Sequence, residues 1–288
     1  MIDDAPSLTR RAFLRAGLGA SATGLAGCGK SNAESSTATP SPQEDDSVFD
    51  GVAVEGDFLV VDLAETDDLS AVNLIAPDGT LYRKRSVEPG VRTVRFRLIE
   101  LELSQSTHYP PGEYELVAVA DEVVESRPLE LRPELRIRDV TQYRGEDSID
   151  KARLAVVVEN TGTAPTWIYD IAYRNAPYRE ANDRVASSRD IPRLVEPQEL
   201  GALFVYPGEK KRFVGLEQPL RFMGEETIDC KRSVDLTIIL GLGAGTPIEQ
   251  HLRVTIDGSS IPLGMRRGYS CSGFSVEILD ADDGDEGV

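Results

Sequence analysis

Between residues 52 and 279 the apolar residues come in short runs, each closed by a turn former, with no long stretch at helical spacing. This punctuation restricts the fold more than any other feature. Strand and turn alternating every 8–12 residues or so build antiparallel sheets that pack as sandwiches. Residues 91–98 show the pattern plainly. Val94, Phe96 and Leu98 alternate with Arg92, Arg95 and Arg97. The two-residue period of a strand puts one set in a core and the other in solvent. Pro77-Asp78-Gly79 is a turn signal between two such runs, because Pro pre-sets one backbone dihedral and Gly takes the positive one.

Predicted strands fall into two sets. The first covers residues 58–63, 71–76, 80–85 and 91–98, a strand fed by the turn Tyr109-Pro110-Pro111-Gly112, and a last run ending at Leu131. Arg132-Pro133 breaks the pattern. The second set covers residues 134–140, 152–159, 167–173, 205–213, 233–240, 249–256 and 273–279. The expectation is an all-β protein of two tandem β-sandwich domains, 51–132 and 133–280, the second with a polar insertion near 174–198. Pro111-Gly112-Glu113-Tyr114-Glu115-Leu116 resembles the late hairpin of immunoglobulin-like and fibronectin-type domains, which implies immunoglobulin-like sandwiches. Over residues 134–256, a Val-rich strand, then Glu159-Asn160-Thr161-Gly162, then Pro207-Gly208-Glu209, resembles adhesion-type domains of the CARDB kind. The insertion and two cysteines are additions to that pattern.

Ahead of the sandwiches stands Thr9-Arg10-Arg11-Ala12-Phe13-Leu14-Arg15, which closely resembles the twin-arginine export consensus, with Arg10, Arg11, Phe13 and Leu14 carrying the signal. Residues 16–27 are Gly/Ala-rich and uncharged, too short and too weakly apolar for a stable span. They end in Leu25-Ala26-Gly27-Cys28, which resembles a lipobox. The resemblance implies a signal peptide over 1–27, export by the twin-arginine route, and a lipid on Cys28 at the outer face of the cytoplasmic membrane. Two acyl chains hold such an anchor stably where one does not. Residues 28–50 are rich in Ser, Thr, Pro and acids, so burial cannot offset the entropy of ordering them. They read as a disordered tether, with residues 29–50 averaging about 25 Å end to end. Its Ser/Thr cluster offers sites for O-glycans.

Three cysteines are present, Cys28, Cys230 and Cys271. With Cys28 taking lipid, an even pair remains, and outside the cytoplasm such a pair most often forms a bridge. Closing the loop between Cys230 and Cys271 contributes about 4 kcal/mol in the chain-entropy model.

The formal charge is -18 from 49 acids against 31 bases. The first 27 residues carry a net +1, so removing them takes -18 to -19. The bases are mostly Arg, and the composition resembles that of extremely halophilic archaeal proteins. Such a chain repels itself in dilute buffer and is relieved in molar salt, where the Debye length is ~3 Å. No basic patch to neutralise phosphates is apparent, so nucleic acid is not an expected partner.

Tests for chemistry return little. His108, in a turn beside Tyr109-Pro110-Pro111, and His251 lack His or Cys partners at metal spacing and read as surface histidines. Gly268-Tyr269-Ser270-Cys271-Ser272-Gly273 fails as a nucleophile elbow, which needs Gly at position 272. Gly241-Leu242-Gly243-Ala244-Gly245-Thr246 fails as a dinucleotide loop and reads as a hairpin loop. The acidic tail, 281–288, does not match a calcium loop. No catalytic set, metal site or cofactor is expected. Trp167, Tyr169, Ile171 and Tyr173 share a strand face by parity. Buried, they form the core of the second domain, which their apolar mass favours; exposed, they would be an aromatic platform. Tyr178, Arg179, Arg184 and Arg189 make the insertion the candidate recognition loop.

The expected function is that of a lipid-anchored cell-surface protein, a non-enzymatic binding, adhesion or assembly module. Its expected partners are the membrane, through Cys28, and a surface protein or glycan. The alternatives are an accessory subunit of a membrane transport or redox complex, and an extracellular hydrolase using loop carboxylates.

Overall fold

The computed structural model describes residues 47–64, 68–102, 106–178, 184–223, 228–264 and 268–279. The export signal, Cys28, most of the tether, Arg179 and the acidic tail lie outside the described residues.

The described chain is all-β, with two 3-10 turns at Ser148–Ala152 and Leu200–Leu203. In the first sandwich one sheet has the order β1-β2-β5, from β1 (Phe49–Glu55), β2 (Phe58–Leu63) and β5 (Thr93–Arg97). Its partner, from β3 (Ala71–Ile75), β4 (Leu81–Ser86), β8 (Gly112–Val119) and β9 (Val123–Leu131), has the order β4-β3-β8-β9. A two-residue ladder joins β6 (Ile99–Glu100) to β7 (Thr107–His108). In the second sandwich β10 (Leu135–Gln142), β11 (Leu154–Asn160), β13 (Leu194–Glu196) and β15 (Lys210–Gly215) have the order β10-β11-β15-β13. The other sheet contains β12 (Thr166–Arg174), β14 (Phe204–Val205), β16 (Arg232–Leu242), β17 (Ile248–Pro262) and β18 (Tyr269–Ile278), in the order β14-β12-β16-β17-β18. Among the described residues no ladder joins a strand before Leu131 to one after Leu135.

Half-buried strands follow the sequence period. In β5, Val94 and Phe96 are buried while Arg95 is exposed. In β8, Tyr114, Leu116 and Ala118 alternate inward. The first described strand begins at Phe49, which is buried, two residues before the predicted domain start at 51.

Strand β12 departs from the expected parity. Trp167, Tyr169, Ile171 and Tyr173 are all buried, but so are Ile168, Asp170 and Ala172 between them. A register shift between Ile168 and Asp170 interrupts the alternation. The rings of Trp167 and Tyr169 lie over Gly243, just past the end of β16, and Gly241 within it, where a Cβ would fall 1.9 Å and 2.8 Å from ring atoms. Ile171 instead meets Gly215 of β15, in the other sheet. Gly is needed at 241 and 243 because aromatic rings occupy the space a side chain would take.

The β17–β18 hairpin is longer than expected. Strand β17 runs to Pro262 rather than 256, and β18 begins at Tyr269 rather than 273. A register shift between Asp257 and Ser260, with Gly258 at φ 86°, interrupts the pattern where the strands still pair. Cys271 therefore lies inside β18. It is bonded to Cys230 just ahead of β16, with a Cα–Cα distance of 5.8 Å.

Candidate functional site

The two sandwiches meet at a joint built from backbone. The Tyr109 hydroxyl, fully buried, donates to the Pro165 carbonyl at 2.8 Å; burial pushes this phenol well above its ordinary range. Thr163 Oγ1 donates to the Glu130 carbonyl at 2.7 Å, and the Thr161 N–H donates to the Glu134 carbonyl at 2.7 Å. At Gly162 a Cβ would fall 2.3 Å from the Arg132 carbonyl oxygen. Asn160 explains why this turn holds. Its buried side chain donates to the Ala164 and Val205 carbonyls at 2.9 and 3.0 Å and accepts from the Glu134 and Gly162 N–H groups at 3.2 and 3.0 Å. A buried amide with all its bonds made specifies one backbone path.

The insertion also belongs to this joint. Asp190 accepts from the N–H of Ser106 in the first sandwich at 3.1 Å and from its hydroxyl. Ala186 N–H donates to buried Asp170 of β12 at 2.7 Å. Trp167 Nε1 donates to the Arg189 carbonyl at 3.4 Å. Arg193 pairs with Glu217 and lies 3.8 Å from Asp170. Burial raises the Asp170 and Glu217 carboxyls above their ordinary range, and Arg193 opposes this at both. The insertion covers β12, which is why that strand is buried on both faces.

Arg189 and His108 meet at the joint. The guanidinium donates to the Gly243 carbonyl at 2.6 Å and reaches His108 Nε2 at 3.5 Å. His108 Nδ1 lies 2.9 Å from the Tyr109 carbonyl, which can only accept, so Nδ1 carries a hydrogen. The imidazole packs edge-on to Trp167, with ring centroids 5.6 Å apart. His108 is thus half-buried at a contact between sandwiches, not the surface histidine its turn position suggested. The sequence placed it in a turn, and only the packing of two separate sandwiches brings Trp167 to it. His251 is exposed and bonded to Thr237 at 3.0 Å.

These groups open onto a cleft of about 600 Å³. Pro110 and Pro111 line it from the first sandwich, Pro133, Glu134 and Leu135 from the connection, and Leu242, Thr246 and Ile248 from the β16–β17 hairpin. The structure does not bring the four predicted loop residues together. Arg189 lines this cleft, Arg184 is exposed, and Arg179 lies outside the described residues. Tyr178 lines a different depression beside Phe222 and Met223, with Arg221 over its ring at 4.5 Å.

Cations do gather in one place, despite the acidic balance. Edge strand β4 carries Arg83, Lys84 and Arg85, and Arg85 donates to the Arg95 carbonyl of neighbouring β5 at 2.9 Å. Arg95 and Arg97 are paired with Glu55 and Glu100. Charged side chains on sheet edges discourage strand addition from another chain, and a whole-chain charge count hides such a cluster. Among the described residues no group of three or more His, Cys, Asp or Glu side chains is placed to hold a metal ion, and no helix is long and apolar enough to cross a membrane.

No family model matches the chain, and no curated protein matches it. Fold and site define its class: an all-β protein of packed antiparallel sheets, with a cleft where two sandwiches meet.

Proposed function

We propose that the chain is a lipid-anchored extracytoplasmic β-sandwich protein that acts as a binding or assembly module, and that the cleft at the joint is its recognition site. The carrying observation is that the insertion places Arg189 beside His108 of the other sandwich, on the wall of one cleft. Sites formed between domains are a usual place for ligands. The Cys230–Cys271 bond supports an exported location, since such bonds persist in oxidising compartments. The twin-arginine-like segment and the lipobox at Cys28 support the anchor. Cell fractionation tests it. The wild-type chain should pellet with membranes and dissolve in detergent, while Cys28→Ser should appear in the medium. Retention of that variant on washed membranes would overturn the anchor.

A further inference from the structure

The cleft wall contains a half-buried cation, Arg189, that meets no carboxylate among the described residues. Its side chain meets the Gly243 carbonyl, His108 Nε2 and the Tyr169 hydroxyl. The other charged groups at the cleft are already paired: Glu134 with Arg136 at 2.6 Å, and Arg132 with Glu130 at 3.0 Å. Partial burial of a charge costs solvation that an incoming anion offsets. Beside Arg189 the wall is aliphatic, from Pro110, Pro111, Leu135, Leu242 and Ile248. His108 supplies the only aromatic ring among the lining residues.

We propose that this cleft binds a small organic acid, with its carboxylate on Arg189 and an aliphatic body against Leu135, Leu242 and Ile248. This rests on the reading of the joint as a recognition site and names its ligand class. Guanidinium donors match a carboxylate in a bidentate fork, and His108 acts as a positioning residue that holds the guanidinium at the wall. The volume lies within the ~300–1,000 Å³ usual for small-molecule sites. Sugar rings stack on flat aromatic faces, and the only ring lining this wall is the His108 imidazole, so the lining favours an aliphatic acid over an acidic glycan.

The full chain carrying Cys28→Ser serves for the test, so that the outcome does not depend on lipidation. Trp167 is the single tryptophan and touches His108, so its emission reports occupancy. Octanoate should give a saturable change in emission, and octan-1-ol should bind at least about tenfold more weakly. Arg189→Gln should abolish that preference. Since Arg189 also holds the Gly243 carbonyl, a second variant is needed; Thr246→Phe, at an exposed position on the rim, should block both probes without touching the joint. Equal binding of octanoate and octan-1-ol would overturn the carboxylate and leave a recognition site of another class. Glucuronate binding more tightly than octanoate would overturn the aliphatic body in favour of an acidic glycan. If no probe gives a saturable response, the ligand class and the cleft reading both fall, while membrane release still judges the anchor separately.

Discussion

Asp170 shows how one residue can serve the fold at a cost. Its carboxylate is almost fully buried, accepts the Ala186 N–H at 2.7 Å and has Arg193 at 3.8 Å. Burial is the largest influence and raises its pKa above the ordinary 3.8. With a raised folded pKa, the unfolded chain releases this proton first. Stability is therefore full below the unfolded value, falls as pH rises through the window up to the folded pKa, and stays lower above it. Glu217 acts in the same direction, for the same first cause. Asp170→Asn keeps an acceptor for Ala186 and removes the ionisation. Its thermal midpoint should depend less on pH than that of the wild type as pH rises above the ordinary carboxylate value, with the residual slope due to Glu217 and other acids. Parallel midpoint curves would show that Asp170 ionises in the fold without penalty. The residue fastens the insertion to β12, the arrangement that carries Arg189 to the cleft.

At the scale of elements, the Cys230–Cys271 bond ties the start of β16 to β18, bridging the part of β17 that extends past it. The double variant Cys230→Ser, Cys271→Ser should lose about 4 kcal/mol in chemical denaturation, the chain-entropy value for a loop of this length. A loss under about 1 kcal/mol would mean that the unfolded chain already holds these segments together. This bond was legible in the sequence because reading Cys28 as the lipobox cysteine sets it aside and leaves one possible pairing. Strands β5 and β8 were legible because each has one wet face, which writes the two-residue period into side-chain type. Strand β12 was legible as a strand and its aromatic face as core, but its burial on both faces was not, because a register shift breaks its period and the insertion dries its second face. Hairpin β17–β18 ran past its predicted ends because Asp257-Gly258-Ser259-Ser260 is polar like a turn, yet forms a bulge within continuous pairing. The cleft was legible only in part. The insertion was singled out from its length and charge, but its partner His108 lies 81 residues from Arg189, and no local pattern carries a contact of that separation.

For the whole molecule the deciding quantity is charge. The exposed pairs Arg95–Glu55, Arg174–Glu249, Arg212–Glu196 and Arg253–Asp235 each stabilise the fold by ~0–1 kcal/mol in water, and salt weakens them. The 49 acids outnumber the 31 bases, so 18 negative charges have no base to match. Pair energies add one by one, whereas self-repulsion grows with the square of the net charge, so repulsion should dominate the response to salt. Raising KCl from about 0.1 M to about 1 M shortens the Debye length from ~10 Å to ~3 Å. That screens the summed repulsion between distant acids more than it weakens pairs already in contact. The thermal midpoint should therefore rise with KCl at pH 7. Near pH 4.6, where the formal charge crosses zero, there is little net repulsion left to screen, and the rise should shrink. An equal rise at both pH values would assign the effect to exclusion of salt from the protein surface, which acts without regard to charge. A fall at pH 7 would mean that the surface pairs, and not the excess of acids, govern how this chain meets its solvent.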